Sequence, residues 1–319
     1  MNIQQLAAVL SPIWCMEDAA FRAMLGNLRA FVLGNGGERK GVLYQERCAA
    51  AGSSKKKRKE VAVLSLHGPI DHRGSMWLDW IGGTGADQFG AAFDMAMDDP
   101  TVKSVLIDVN SPGGNAMGTP ELAKKIYKRR GEKPIVAVAD AMAASAAYWI
   151  GTAADRLYVT ESGYVGSVGV FSVHEDWSQA LANDGIKVTI NRIPEFKAEG
   201  TPYEAATDEF IASEMSDIGR IYGEFVDAVA KHRGTSVKDV RDNYGKGRVV
   251  DAKAAVAAGM ADGVATFEQV LSRMQDGRLS VTDKSASFED SPKLNADALR
   301  VCELRLRMRD RKPLLTGSR

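Results

Sequence analysis

Hydrophobic and polar positions follow two different periods along the central part of the chain. Short apolar runs of strand length occur at 61–66, 104–109 and 135–139. The stretches 88–98 and 120–130 between them carry apolar residues at helical spacing. Strands that alternate with helices of this length need crossover connections, which produce a mainly parallel sheet covered on both faces. The pattern therefore predicts an α/β fold with a mainly parallel sheet flanked by helices.

The same pattern divides the chain into four parts. Residues 1–33 have apolar residues at helical spacing, broken at Pro12, and are predicted to form two short helices. Residues 34–60 are polar and carry five consecutive basic residues at 55–59, which is typical of a solvated linker, although such a run can also mark a nucleic-acid or localisation patch. The globular domain is predicted over 61–275. Residues 276–319 turn polar again and are predicted to be a flexible tail.

The second half of the globular domain has further periodic segments. Strands are predicted at 156–160, 168–173 and 187–191. Helices are predicted at 207–232, 236–243, 251–258 and 266–274.

Composition narrows the setting in which the protein works. The 319 residues include 41 basic and 41 acidic side chains, so no overall field favours nucleic acid or a membrane surface. The three cysteines, Cys15, Cys48 and Cys302, are far apart and have no metal-ligand spacing. No apolar run approaches the roughly 18 to 20 residues that span a bilayer. We therefore expect a cytoplasmic protein without a membrane anchor, a metal or a cofactor.

Ser145 is the first candidate for chemistry. It stands among alanines in the stretch 140–149, which follows the apolar run 135–139 and is predicted to begin a helix. A serine at the tip of a helix lies beside unpaired amide groups that can hold an anion. This position suits the nucleophile of an acyl transfer, although taken alone it also suits a small residue chosen for tight packing.

A glycine pair follows the predicted strand 104–109. Ligands of parallel α/β sheets bind beyond the carboxyl ends of the strands, and glycines there let backbone amides approach a substrate. Gly113 and Gly114 could therefore donate to an oxyanion together with the amide of Ala146. Taken alone, the segment also fits an ordinary turn containing proline and glycine.

Lys197 is a candidate general base. To act as one it must be neutral, which requires burial that lowers its pKa from about 10.4 toward about 7 to 8. A hydroxyl group would hold the neutral amine in place, and Ser167 is the best candidate for that role. The rival base is His174, which could form a triad with Ser145 and Asp176.

Taken in order, these segments resemble peptidase family S49, the signal peptide peptidase A and protease IV group, which shares the fold of Clp protease and crotonase. The matching residues are Asn110–Gly114, Met142–Ser145, Tyr148, Gly166–Val170, Lys197, Gly200 and Pro202. The resemblance implies that Ser145 is the nucleophile, Lys197 is the general base and Ser167 orients the lysine. It also implies an oxyanion hole built from the backbone of Gly113, Gly114 and Ala146.

A second group of residues resembles the phage and prophage branch of that family. The group comprises His72–Trp80, Gly82–Thr84, Ala144–Trp149, His174–Asp176 and Gly247–Val250. The resemblance implies a prohead protease that cleaves capsid, portal or scaffold proteins in the host cytoplasm or inside the prohead. It further implies a homo-oligomeric ring and no requirement for nucleic acid.

Two departures from the family pattern concern the neighbours of the reacting residues. Ala146 and Ala147 stand where many members have glycines, so the pocket beside the serine is expected to be narrower. Ala198 stands where an aspartate is common, and the absence of that carboxylate fits a lowered pKa for Lys197. Neither departure removes a reacting atom.

Three other functions stay open on the sequence. A bacterial signal-peptide-peptidase-like protease would use the same residues on other peptides. A crotonase-like enzyme acting on acyl-coenzyme A would share the sheet and the paired amides without needing Ser145 or Lys197. A non-catalytic capsid assembly component would keep only the fold.

Overall fold

A computed structural model describes residues 14–16, 20–22, 47–49, 59–279 and 301–303. The strands are β1 Trp14–Met16, β2 Arg47–Ala49, β3 Val61–His67, β4 Ile70–Asp71, β5 Thr84–Gly85, β6 Ser104–Ser111, β7 Gly113–Asn115, β8 Ile135–Ala144, β9 Arg156–Val159, β10 Tyr164–Gly166, β11 Val249–Asp251, β12 Gly263–Val264 and β13 Val301–Glu303. The helices are α1 Met76–Trp80, α2 Ala86–Asp98, α3 Thr119–Lys128, α4 Ala146–Thr152, α5 Ser178–Asn183, α6 Asp208–Arg233, α7 Val237–Asn243, α8 Ala252–Ala257 and α9 Phe267–Gln275, with a 3-10 helix at Gly245–Gly247.

The main sheet is parallel at its centre and antiparallel at its edges. Its strand order is β11-β10-β8-β6-β3-β2-β13, and β9 lies beside the first half of β8 and carries β12. The pairs β3 with β6, β6 with β8, and β8 with β9 and β10 are parallel. The predicted α/β fold with a mainly parallel sheet is therefore confirmed. A smaller sheet has the order β1-β7-β4-β5.

Both faces of the main sheet are buried, as the alternation of side chains along β3 shows. Leu64 and Leu66 belong to the larger hydrophobic core, which also contains residues of α2, α3, α4 and α6. Val61 and Val63 point the other way, into a second core that contains residues of α9. Each fully buried valine or leucine contributes about 1.5 to 3 kcal/mol. Burial on two faces explains why these strands are continuous apolar runs.

The predicted helices of residues 1–33 are wrong at Trp14–Met16, which form strand β1. This strand pairs with β7 in antiparallel register, and Trp14 and Met16 pack with Phe21. Helical spacing is a local signal, and here pairing with another strand overrides it. Residues 20–22 are helical, and the rest of the predicted N-terminal helices lies outside the described residues.

Two short strands fall in parts of the chain that were predicted to be irregular. Arg47–Ala49 lies in the predicted linker 34–60 and pairs with β3, and Val301–Glu303 lies in the predicted tail 276–319 and pairs with Arg47–Ala49. The linker and tail predictions are wrong at these residues, because the open edge of β3 offers backbone groups for pairing. The first four residues of the basic run, 55–58, and most of the tail lie outside the described residues.

The predicted strands at 168–173 and 187–191 are also wrong. In the first segment only Phe171 forms a bridge, to Trp14, because Ser167 turns the chain with a φ of 52°. The second segment has no regular secondary structure, and Val188 is exposed. A strand-like sequence forms a strand only where a partner edge is available.

Strand β8 is longer than its predicted range of 135–139 and reaches Ala144. The stretch 140–144, predicted to begin a helix, is therefore strand, and α4 begins at Ala146. Strand β8 pairs with β9 along 136–139 and with β10 along 142–144. This change of neighbour lets one strand run to the edge where Ser145 lies. Among the described helices, none combines the length and the apolar character needed to pass through a bilayer.

Candidate active site

Ser145 forms a sharp junction between β8 and α4. Its φ of 54° and ψ of −119° lie outside the regions that non-glycine residues usually occupy. The Ser145 amide donates to the Gly166 carbonyl at 2.7 Å, and the Ser145 carbonyl accepts from the Trp149 amide at 2.9 Å. Such a conformation costs on the order of 1 to 3 kcal/mol and persists only where the surroundings impose it. The serine is therefore held in place by contacts on both sides.

Helix α4 behind Ser145 is fixed by two aromatic side chains. The Trp149 ring stacks on Phe225 with centroids 4.5 Å apart and planes 6° apart. The Tyr148 hydroxyl donates to the Met260 carbonyl at 2.9 Å, and burial raises the pKa of Tyr148 well above its usual value. These contacts hold the first turn of the helix rigidly against the core.

The other end of α4 is fixed by a partly buried guanidinium group. Arg130 donates from Nε to the Ala153 carbonyl at 2.9 Å and from Nη2 to the Thr152 carbonyl at 2.6 Å, and Nη2 also donates to the Ala154 carbonyl. Carbonyls at a helix end lack partners within the helix, and a cation there complements the helix dipole. Arg130 therefore stabilises the helix that carries Ser145.

His232 supports the same helix end as a neutral group. Its Nδ1 lies 3.0 Å from the Thr152 hydroxyl oxygen, and its ring stacks on Tyr127. Burial, and then the positive charge of Arg130, lowers the pKa of His232 to about 3. The imidazole therefore stays uncharged through the neutral pH range.

Gly113 lies directly against Ser145. A Cβ atom on Gly113 would lie 2.9 Å from the Ser145 Cβ and 2.2 Å from the Cys15 carbonyl oxygen, and its φ is 98°. A Cβ on Gly114 would lie 1.8 Å from the Ile70 carbonyl oxygen. Only glycine fits these positions, because backbone from β1 and β4 approaches on either side. The structure thus brings Gly113 and Ala146, which begins α4, next to Ser145.

The Gly113 amide and the Ser145 hydroxyl already have partners. The Gly113 amide donates to the Ser111 hydroxyl oxygen at 3.2 Å, and that hydroxyl donates to the Gly68 carbonyl at 2.6 Å. The Ser145 hydroxyl donates to the Gly169 carbonyl at 3.5 Å, which is a weak hydrogen bond. Neither contact places a general base at Ser145.

Ser167 lies beside Ser145 on the neighbouring strand connection. Gly166 pairs with Ala144, and the next residue, Ser167, donates its amide to the Arg248 carbonyl at 2.9 Å. Ser167 is buried, with 7% of its surface exposed, and its hydroxyl makes no hydrogen bond within the described part of the chain. The hydroxyl is therefore available to a partner brought in from elsewhere.

Lys197 is not joined to Ser145 within one chain. Its side chain is exposed, and its amide donates to the Pro194 carbonyl at 3.0 Å. Among the described residues, none forms a hydrogen bond or an ion pair with its Nζ. A pocket beside the lysine is lined by residues such as Phe196, Gly200 and Phe210, and Ser145 does not line it. The burial that was expected for Lys197 is therefore absent in the single chain.

His174, the rival base, forms no hydrogen bond with Ser145 either. Its Nε2 donates to the Thr201 carbonyl at 3.2 Å, and its ring packs edge-on against Phe210. The Asp176 carboxylate accepts from the Ser178 hydroxyl and amide, which lowers the pKa of Asp176. No hydrogen bond of the described chain joins the three residues of this predicted triad.

One element of the site escaped the sequence analysis. Strand β1 lies beside Gly113, and its Cys15 carbonyl approaches the position of Ser145. The three consecutive large or apolar residues Trp14–Met16 were the available signal, but residues 1–33 were assigned to helices. Across the described ranges, no cluster of three or more histidine, cysteine or acidic residues is placed to hold a metal ion.

A family model and several named proteases are similar to this chain. Residues 127–281 match the model of peptidase family S49. The head-tail preconnector protein GP5 of Enterobacteria phage P21 is 32% identical over 214 residues, which cover 67% of this chain and 42% of that protein. The capsid assembly protease C of Escherichia phage lambda is 30% identical over 216 residues, which cover 68% of this chain and 49% of that protein.

The chain thus spans about half the length of these relatives. Among solved structures, a point mutant of ClpP1 from Listeria monocytogenes aligns with a TM-score of 0.39 and 14% identity, covering 64% of this chain and 90% of that one. The family match includes Ser145, Ser167 and Lys197. The chain therefore contains a peptidase family S49 domain.

Proposed function

We propose that this protein is a serine endopeptidase in which Ser145 is the nucleophile and Lys197 is the general base. The observation that carries the proposal is the strained Ser145 junction, with the Gly113 backbone packed against its Cβ. Residues held in such strained conformations cluster at active sites. The family match over residues 127–281 supports the same chemistry.

The proposed reaction begins with proton transfer from Ser145 to neutral Lys197. The Ser145 Oγ attacks a peptide carbonyl, and backbone amides of Gly113, Gly114 and Ala146 stabilise the oxyanion. The lysine returns the proton to the departing amine, leaving an acyl-enzyme that water then hydrolyses. The long hydrogen bond from Gly113 to Ser111 would give way to the stronger charge-assisted bond to the oxyanion.

We assign Lys197 to the active site of a neighbouring subunit in a homo-oligomer. Around the exposed lysine, Ile193 and Phe196 are 93% and 55% exposed, and exposed apolar side chains favour a protein interface. Burial in that interface would lower the pKa of the lysine, and the free hydroxyl of Ser167 would hold the neutral amine.

Mixed oligomers test this arrangement. Ser145→Ala and Lys197→Ala subunits are each inactive alone, but random mixing would regenerate about a quarter of the sites if serine and lysine come from adjacent subunits. Peptide hydrolysis after unfolding and refolding the mixture is the measurement, and separately refolded variants are the control. A mixture with no activity would rule out sharing of the dyad between subunits.

We further propose that the substrates are phage capsid, portal or scaffold proteins, cleaved in the host cytoplasm or in the prohead. The similarity to a capsid assembly protease and to a head-tail preconnector protein supports this assignment. The test is co-expression with the coat and portal proteins whose genes lie next to the gene for this protein, followed by mass spectrometry of new termini. New termini present with wild type and absent with Ser145→Ala are expected, and identical termini in both would contradict the proposal.

A fluorophosphonate probe tests the nucleophile itself. Labelling at Ser145 is expected in the wild-type oligomer, because activated serines react with this probe, and Ser145→Ala should not be labelled. Ser178→Ala serves as the control, because the Ser178 hydroxyl lies at the surface, where it donates to the Asp176 carboxylate. This variant should be labelled like wild type. Lack of any labelling at Ser145, both in the assembled protein and in its Cys15→Arg variant, would favour a non-catalytic role or the crotonase-like alternative.

A further inference from the structure

Strand β1 lies between two segments of the active site in the manner of a bound peptide. On one side it pairs antiparallel with β7, with Cys15 opposite Gly114 and Met16 opposite Gly113. On the other side Trp14 and Phe171 exchange two backbone hydrogen bonds, of 2.9 and 3.1 Å. Addition of an extended segment to exposed strand edges is a common mode of peptide recognition.

The backbone of β1 places a carbonyl group at the nucleophile. The Cys15 carbonyl oxygen lies 2.2 Å, and the Ser145 Cβ 2.9 Å, from the point that a Cβ on Gly113 would occupy. The oxygen and the Ser145 Cβ can therefore be no farther apart than the sum of these two distances. Ser145 itself is completely buried, although a nucleophile must meet its substrate. The carbonyl group of the Cys15–Met16 peptide bond thus lies close to the Ser145 side chain.

The side chains of β1 alternate between two sites, as they do along any strand. Cys15 is completely buried in the larger hydrophobic core. Trp14 and Met16 belong to a separate apolar cluster with Phe21, which is extended by Phe171 and by three further partly buried residues, Ala20, Ile81 and Val173. The site therefore accepts a small side chain at the Cys15 position and large apolar side chains on both sides of it.

We propose that Trp14–Met16 is a built-in occupant of the peptide-binding site, which excludes other peptides until it is displaced. This inference rests on the proposed peptidase function. It also defines the substrate class as extended peptides with a small apolar residue before the cleaved bond, and large apolar residues at the two neighbouring positions. Only the fraction of molecules with β1 released binds substrate, so occupancy by β1 lowers the apparent affinity.

The first test releases β1 by substitution. Cys15→Arg cannot bury its charge, so β1 should leave the site and kcat/KM for a short peptide containing Trp-Ala-Met should rise about tenfold or more. Met95→Arg places the same charge on an exposed position of α2 and should leave kcat/KM unchanged. Ser145→Ala combined with Cys15→Arg should abolish the hydrolysis.

The outcomes of the first test separate the two proposals. If Cys15→Arg is folded by circular dichroism and labelled by fluorophosphonate at Ser145, but hydrolyses the peptide no faster than wild type, the occupancy is wrong and the peptidase function stands. If neither wild type nor Cys15→Arg is labelled at Ser145 or hydrolyses the peptide, the proposed peptidase function is wrong. A new amino terminus at Met16 in wild type, absent from Ser145→Ala, would support the placement of the Cys15 carbonyl.

The second test needs neither catalysis nor a substitution in β1. Burial raises the pKa of the Cys15 thiol to about 12, so iodoacetamide should alkylate it slowly. A synthetic peptide with the sequence of residues 11–18 and Cys15→Ala should displace β1 in the Ser145→Ala chain and speed alkylation of Cys15 about tenfold. The same peptide with Cys15→Arg is the matched control. Mass spectrometry of the fragment that contains Cys15 provides the rate.

This second measurement can overturn the occupancy by itself. Rapid alkylation of Cys15 without peptide would show that β1 does not stay in the site. Slow alkylation that saturating peptide does not change would show that the peptide and β1 do not share a site. Equal acceleration by the two peptides would contradict the requirement for a small residue at the Cys15 position.

Discussion

The segments around Ser145 and Lys197 differ in how completely one chain determines their geometry. Ser145 is completely buried, bonded through its backbone on both sides, and followed by a helix that is fixed at both ends. Lys197 is exposed, in a segment without a helix or strand. The geometry around Ser145 is therefore organised by the fold of the single chain, whereas the surroundings of the Lys197 side chain are not.

This difference has a physical consequence for regulation. A strained serine is costly, so its supporting contacts must already exist when the chain folds. If Lys197 reaches Ser145 only from a neighbouring subunit, an isolated subunit would have little activity, because no general base would lie beside its serine. Separation of the two groups would thus confine hydrolysis to the assembled oligomer.

The largest expected effect is on activity, where the two regions should behave alike. Ser145→Ala and Lys197→Ala should each lower kcat/KM by about 10⁴-fold or more, because members of a catalytic unit fail together. Steady-state peptide hydrolysis is the measurement, and Lys187→Ala, in the same exposed segment, is the control. Activity of Lys197→Ala within tenfold of wild type would exclude this lysine as the base.

The next largest effect is on the free energy of unfolding, which should differ between substitutions near Ser145 and near Lys197. Trp149→Ala removes a buried ring from α4 and should cost about 3 to 5 kcal/mol. Phe196→Ala removes an exposed ring beside Lys197 and should change the stability of the subunit by no more than about 0.5 kcal/mol. Urea denaturation of both variants gives the comparison. Equal losses would mean that the Lys197 segment is packed as firmly as α4.

Lowering the pH should reduce the free energy of unfolding through His232, which contacts the end of the helix that follows Ser145. The pKa of His232 is about 3 in the folded chain and about 6.5 in the unfolded chain, so the unfolded chain binds the extra proton first as pH falls. The contribution of His232 is fully present above pH 6.5 and decreases toward pH 3, with a loss of about 2 kcal/mol at pH 5. His232→Gln keeps a hydrogen-bonding group without a titrating ring and should remove this part of the pH dependence. The measurement is the free energy of unfolding of wild type and of His232→Gln at pH 7 and pH 5. An equal loss between the two pH values in both proteins would show that His232 is not responsible.

The smallest expected effect concerns the strain at Ser145. Ser145→Gly should be as inactive as Ser145→Ala but more stable than it by about 1 kcal/mol, because glycine adopts a positive φ without a steric penalty. Thermal unfolding of the two inactive variants measures the difference. An alanine variant as stable as the glycine variant would mean that the junction relaxes when the hydroxyl is lost.

The sequence correctly predicted those helices and strands whose hydrophobic periodicity is visible within the segment itself. The long helix predicted at 207–232 is observed at Asp208–Arg233, and the apolar runs at 61–66 and 104–109 lie in the central strands. Each of these segments carries its own periodicity, so a local pattern is sufficient. The same reasoning failed at 187–191, where no neighbouring strand accepts the segment.

By itself, the sequence determined the α/β class and the candidates Ser145, Gly113 and Lys197, because apolar periodicity and residue chemistry are local properties. Only the tertiary structure decided that Gly113 packs against Ser145, that Trp14–Met16 is a strand paired with β7, and that Lys197 stays exposed. These three facts depend on contacts between segments far apart in the chain. The free energy of such contacts comes from strand pairing and from burial of apolar surface, and a short stretch of sequence contains neither.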